Sequence, residues 1–423
     1  MMKERVVSFI RTATSRPQRR DSALSQAITH VGRLPPETFI DIIHYLVFPT
    51  LPQALLFLHS TPGIDAATDT WGLVEIQTAL YRVTLVCRAW NIIGTELLYT
   101  YPTFVSPRQV RNFGRTLQQA PSLARFIKHI FVVEASNLPL RRDRKRTIVP
   151  NIVRDILQAC KDTTLDTLTT DVVNYTGSDS IASYFLDFIS VSSRLRRLVI
   201  NGIPNQLSFS QLRLPNLEIL CLRTTFISGN TVFPILPKLH TLQIAKGDIW
   251  VELGEVILDD RLPALRSLEL YLCEYVTKTF HPLSLPHLET MNFVGKGELE
   301  LYKHLLISGA LDSIKNITIG FVESLLSPID LSETQLPLKI ESLSLIGFYA
   351  QNAGIVSIAH YLERNQAVLP AKHFRRLDFS CSKIDCESKH INQLQTLCSS
   401  LEIEFHLNKI EPNKWISQRL ACW

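Results

Sequence analysis

The sequence predicts an α/β chain in two parts: a small helical region near the N-terminus, then a repeating solenoid built on a curved parallel sheet. Three observations carry this. A short apolar frame recurs through most of the chain, and its copies lie at nearly constant spacing. Two stretches ahead of them place apolar residues at helical rather than strand intervals.

Taken in order, residues 1–30 hold Lys3, Arg5, Arg11, Arg16, Arg19 and Arg20 against Glu4 and Asp21, with one short apolar patch at Val6–Ile10. That pattern lacks the longer apolar core of a secretory signal. A disordered basic tail is expected.

The segment LPPETFIDIIHYL follows at 34–46. Proline suits the first turn of a helix, where its missing N–H would have had no partner. Pro35 and Pro36 therefore start a helix sharply, and Glu37 complements its positive end. Phe39, Ile42, Ile43 and Leu46 form one stripe; Ile40 and Val47 widen it beyond what a small helical unit needs for its own core. A second helical stripe runs through Ile76, Leu80, Val83, Val86, Cys87 and Trp90 and leads into LVCRAWNIIGTELLY at 85–99.

Together these two pieces resemble an F-box. The shared features are Leu34, Pro35 and Glu37, then Ile43 and Leu46, then Val86, Cys87, Arg88 and Trp90, then Leu98 and Tyr99. The following VRNFGRTLQQAPSLARFIKHIFV is similar to the segment joining F-box to repeats in many fungal F-box proteins. One departure stands out. Leu34 to Tyr99 takes 66 residues, longer than the family's usual span, and the surplus near 47–75 carries Pro49, Pro52, Pro62 and Gly63. An insertion between helices costs little, because closure entropy grows slowly with loop length.

The repeats come next. LPNLEILCL (214–222), LPKLHTLQI (236–244), LPALRSLEL (262–270) and LPHLETMNF (285–293) share the frame L-x-x-L-x-L with Leu-Pro three residues ahead. Looser copies begin at 193, 312, 338, 372 and 399, and degenerate opening units lie at 122–132 and 163–170. The first apolar position falls at 195, 217, 239, 265, 288, 314, 340 and 374, with intervals of 22, 22, 26, 23, 26, 26 and 34. All but the last lie in the leucine-rich-repeat range, and the last implies an insertion. The final two apolar positions of the frame alternate, so they share one face of a short strand. One such unit cannot bury that face alone, whereas stacked copies make a continuous core. Segments 177–193 and 352–366 between frames read as helices, the second from Ile355, Ile358, Ala359 and Leu362.

The expected organisation is a disordered tail at 1–30, an F-box-like helical domain at 31–105, a degenerate leucine-rich-repeat solenoid at 106–405 and a tail at 406–423.

Composition narrows the function. The formal charge of +5 is slight for 423 residues and mostly scattered, unlike the concentrated basic stripe of a nucleic-acid binder. The dense run RRDRKR at 141–146 reads as a solvated loop. The longest uncharged stretch, 46–64, is broken by prolines, so no membrane span is expected. The eight cysteines form no CxxC pair and are expected to be reduced, as in a cytoplasmic and/or nuclear protein. No phosphate-binding glycine loop, nucleophile elbow or metalloprotease motif is present, and no metal or cofactor is expected. His281, His287 and His373 flank repeat strands as surface residues.

The resemblance implies a non-enzymatic substrate receptor of a Skp–cullin–F-box ubiquitin ligase. Its F-box would dock on the Skp adaptor, and through it a cullin–RING ligase, using Leu34, Pro35, Glu37, Ile43, Leu46, Val86, Cys87 and Trp90. Its repeats would bind a target protein. The alternative is a non-catalytic leucine-rich-repeat scaffold whose F-box-like helices only cap the solenoid.

Overall fold

The computed structural model describes residues 77–78, 80–85, 88–100, 102–104, 107–132, 156–160, 165–171, 194–203, 213–227, 233–245, 248–249, 260–271, 273–275, 286–295, 313–321, 339–346, 350–365, 373–381, 384–385 and 388–409. The chain divides into two compact units: Met1–Thr103 with Leu420–Trp423, and Phe104–Arg419. The expected helix at 34–46, the insertion at 47–75, the helix at 177–193 and the basic run at 141–146 lie outside the described residues.

In the first unit, residues 80–84 are helical and α1 spans Arg88–Thr100. Leu80, Val83, Trp90 and Leu97 are buried. Gly94 permits the close approach between the two pieces: a Cβ there would stand 3.0 Å from Thr84 Cγ2 and 3.1 Å from Val83 Cγ1.

The second unit opens with α2 (Pro107–Gln119), which carries proline at its first position, and a 3₁₀ turn over Pro121–Phe126. A parallel sheet of 11 strands follows. Its members are β1 (His129–Val132), β2 (Thr167–Asp171), β3 (Arg197–Ile203), β4 (Ile219–Ile227), β5 (Thr241–Ala245) and β6 (Ser267–Tyr271). It continues with β7 (Thr290–Gly295), β8 (Asn316–Phe321), β9 (Ser342–Ile346), β10 (Arg376–Cys381) and β11 (Glu404–Lys409). Each strand pairs with the next in sequence order, so the unit is a solenoid of successive parallel strands, as the repeat frame predicts. The last strand runs to Lys409, into the stretch expected to be a tail.

Register follows the frame without a slip. Leu198 pairs with Leu220, Leu220 with Leu242, Leu242 with Leu268, Leu268 with Met291, Met291 with Ile317, Ile317 with Leu343 and Leu343 with Leu377. These residues, and the first frame positions Leu195, Leu217, Leu239, Leu265, Leu288, Ile314, Ile340 and Phe374, are all buried. Because side chains alternate across a strand, a slip of one residue would turn this whole set outward. Each buried side chain is worth about 1.5–3 kcal/mol in transfer terms, so register is strongly specified.

The Leu-Pro prefix has a clear cause. Leu217 N–H donates to Leu214 C=O at 3.1 Å, Leu239 to Leu236 at 3.2 Å and Leu265 to Leu262 at 3.0 Å. Each Leu-Pro-x-Leu is thus a β-turn with proline at its second position, where the fixed φ of the ring is already correct. The leucines on either side of the turn are buried and the prolines exposed.

The residue just ahead of each strand makes a second ladder. Asp166 donates its N–H to Lys128 C=O, Arg196 to Asp166, Glu218 to Arg196, His240 to Glu218, Arg266 to His240, and so on through Glu289, Lys315, Glu341 and Arg375. The signs of these side chains largely alternate from one repeat to the next. Arg196 bonds both Glu218 carboxylate oxygens, at 2.8 and 2.9 Å, and Lys315 lies 3.6 Å from Glu289.

The long interval before Phe374 holds α3 (Asn352–Asn365), with Ile355, Ile358 and Leu362 buried. A further helix, α4 (Ser388–Ser400), precedes β11. Among the described residues, no helix is long and apolar enough to cross a membrane.

Candidate functional site

Two surfaces merit analysis, one in each unit. In the first, the helical turn at 80–84 and α1 are tied by two side-chain bonds: Thr84 Oγ1 donates to Tyr81 C=O at 2.6 Å, and Asn91 Nδ2 to Thr84 C=O at 2.9 Å. This fixes the connection so that Leu80, Val83 and Trp90 turn inward. Three large apolar side chains are left on the outside: Tyr81 is 56% exposed, and Leu85 and Ile92 are each 65% exposed. Single exposed apolar residues are ordinary, but three fall within twelve positions of one short connection.

Of the eight residues expected to meet an adaptor, the described set places only Trp90, which is 5% exposed. Leu34, Pro35, Glu37, Ile43, Leu46, Val86 and Cys87 lie outside it. Tyr81, Leu85 and Ile92 went unselected in the sequence reading. Their signal was an apolar residue off the buried stripe.

In the second unit, the strand face opposite the leucines carries three rows. Along the first run His129, Thr167, Arg197, Ile219, Thr241, Ser267, Thr290, Asn316, Ser342, Arg376 and Glu404, paired in register. The middle row includes Val199, Cys221, Gln243, Glu269, Asn292 and Thr318 on six successive strands, all buried. The third row contains Arg223, Ala245, Tyr271, Val294, Gly320 and Ile346.

The middle row is polar yet satisfied. Cys221 Sγ donates to Gln243 Oε1 at 2.8 Å, and Gln243 Nε2 donates to Glu269 Oε2 at 3.0 Å. Tyr271 Oη donates to the same oxygen at 3.0 Å, and Ser267 Oγ to Glu269 Oε1 at 3.3 Å. Arg223 Nε donates to Cys221 Sγ at 3.3 Å. A buried carboxylate is tolerated only when such donors surround it. Burial pushes the Cys221 thiol above its ordinary value, with Arg223 opposing. Toward the C-terminal end the ladder changes to small side chains: Ser342 Oγ donates to Asn316 Oδ1 at 2.8 Å, and Ser344 Oγ to Asp378 Oδ2 at 3.1 Å.

Chemically, this face offers hydrogen bonding and charge rather than a reactive centre. Among the described residues no group of three or more His, Cys, Asp or Glu is placed to hold a metal ion. Cys160, Cys221, Cys273 and Cys398 are buried and in no disulfide, and burial raises the Cys398 thiol to about 11. Such thiols are poor nucleophiles, since the thiolate is the reactive form. An open groove between α3 and α4 is lined by Ile355, Ala359, His360, Lys389 and Leu397 among others.

No family model matches the chain, and no curated protein matches it. Its class therefore rests on architecture: an α/β solenoid of parallel strands, each set by an apolar frame.

Proposed function

We propose that the chain is a substrate-recognition subunit of a Skp–cullin–F-box E3 ubiquitin ligase. In this reading the F-box-like helices dock on the Skp adaptor, and the repeats hold the target protein. The chain supplies binding and position; ubiquitin transfer belongs to the other subunits.

The observation that carries the reading is the exposed trio Tyr81, Leu85 and Ile92. They lie within the stretch whose Val86, Cys87, Arg88 and Trp90 match the family motif, and among the described residues only Ile235 is a comparably exposed large apolar side chain. Burying three such residues under a partner supplies the kind of compact apolar anchor that dominates binding energy. Leu34, Pro35, Glu37, Ile43 and Leu46 would extend the same interface.

Co-purification with a Skp adaptor tests this. Leu85→Glu with Ile92→Glu should lower adaptor affinity by about tenfold or more while leaving the circular-dichroism melt of the repeats in place. Unchanged retention of the adaptor would remove the basis for the proposal. Deleting 1–105 separates the scaffold alternative, because a cap's loss should unfold or aggregate the solenoid, whose ends need covering.

A further inference from the structure

Charged residues are scattered along the chain, but their excess has one source. Between Glu96 and Glu134 the sequence holds no acidic residue, yet it carries Arg108, Arg111, Arg115, Arg125 and Lys128. With 44 Lys and Arg against 39 Asp and Glu overall, these five equal the entire formal excess of +5. Three of them fall on α2. Arg108, Arg111 and Arg115 stand at i, i+3 and i+7, which places them on one helical face, and all three are exposed. None forms an ion pair or a side-chain hydrogen bond among the described residues.

The opposite face of α2 is occupied within its own unit. Val110 and Leu117 are buried, Gly114 is buried between them, and the Phe113 ring meets Phe104 edge-on at 4.9 Å. That packing anchors the helix, and the arginines work against it. Like charges at i, i+3 and i, i+4 repel. Arg108 also puts positive charge in the first turn, at the positive end of the helix dipole, and no acidic residue there offsets it. An anionic partner would reverse the sign of both effects.

We propose that the arginine face of α2 docks an acidic segment of a partner protein, with Asp or Glu side chains at helical intervals. The steps from Arg108 to Arg111 to Arg115 rise about 4.5 and 6 Å along the axis. An acidic helix presents its own i, i+3 and i+7 carboxylates at the same spacing. All three cations are arginine, whose planar fork meets a carboxylate through two parallel N–H donors. A lipid surface fits less well, because the apolar face that would enter it, Val110 with Leu117, is already buried. Nucleic acid also fits less well. The other exposed side chains described on α2 are Asn112, Gln118 and Gln119, and none offers a ring on which a base could stack. This assignment stands independently of the ligase reading.

The test uses the full chain and fluorescein-labelled, alanine-based helical peptides with Glu, Gln or Lys at i, i+3 and i+7. An oligothymidylate of equal charge and vesicles of phosphatidylcholine with phosphatidylserine are the competing anions. Fluorescence anisotropy should show the Glu peptide bound about tenfold or more tightly than the Gln peptide. Arg108→Gln, Arg111→Gln and Arg115→Gln together should abolish that preference, while the melting temperature holds or rises because the repulsion is gone. Arg108→Glu, Arg111→Glu and Arg115→Glu together should transfer the preference to the Lys peptide, which a merely structural role cannot do. Equal binding of the Glu and Gln peptides, or an undiminished preference in the triple Gln variant, overturns the site. Tighter binding of the oligothymidylate or the vesicles than of the Glu peptide overturns its assignment to an acidic protein segment.

Discussion

At the scale of single residues, one non-glycine residue among those described has a positive φ, with a plain consequence. Glu402 has φ 59°, in the left-handed region that favours glycine. It closes α4 in a Schellman arrangement: Ile403 N–H donates to Cys398 C=O at 2.8 Å, and Glu402 N–H to Ser399 C=O at 3.3 Å. A side chain in this conformation costs about 1–2 kcal/mol, so Glu402→Gly should raise stability by about 1 kcal/mol in a denaturant melt. His129 supplies a second case. Burial is the main cause lowering it from 6.5 to about 4, Asp166 opposes, and Lys128 and Arg197 add to the lowering. Between those values the unfolded chain binds a proton that the folded chain excludes. The associated stability is therefore complete above pH 6.5 and drains away as pH falls toward 4. His129→Gln should flatten that part of the stability–pH profile; a profile of unchanged slope would show that other groups govern it.

At the scale of elements, the strands were legible and their partners less so. Leu217, Leu220 and Leu222 announce a strand because burial on one face forces alternation, and the proline of the preceding turn has a local cause. The helix at α3 was equally plain, since Ile355, Ile358 and Leu362 share one face. By contrast α4 escaped although Ile391, Leu394 and Cys398 lie at helical spacing, because Lys389, His390, Asn392 and Gln393 interrupt them and only Leu394 and Cys398 are buried. The Cys221–Gln243–Glu269 row escaped for another reason: its members are 22 and 26 residues apart, and only a known register brings them together. The exposed trio was hidden because apolar residues on both sides of a short helix do not say which side is covered. The charge ladder ahead of the strands makes its own prediction. Arg196→Glu places three acidic groups together at Asp166, 196 and Glu218, and should lower the melting temperature slightly. The exchange Arg196→Glu with Glu218→Arg should recover much of the loss, as a double-mutant cycle reads directly.

At the scale of the whole molecule, one unit carries exposed apolar side chains and the other is a solenoid of parallel strands. Stability of the second is a sum over neighbouring repeats, whereas the first keeps Tyr81, Leu85 and Ile92 in water at some cost. The central claim is that another polypeptide covers that surface. Hydrogen exchange of the full chain, with and without a purified Skp adaptor, tests this most directly. The account predicts slowed exchange in peptides covering 80–100 and 34–46, with the solenoid strands unchanged. Identical exchange across 80–100 at saturating adaptor would contradict it.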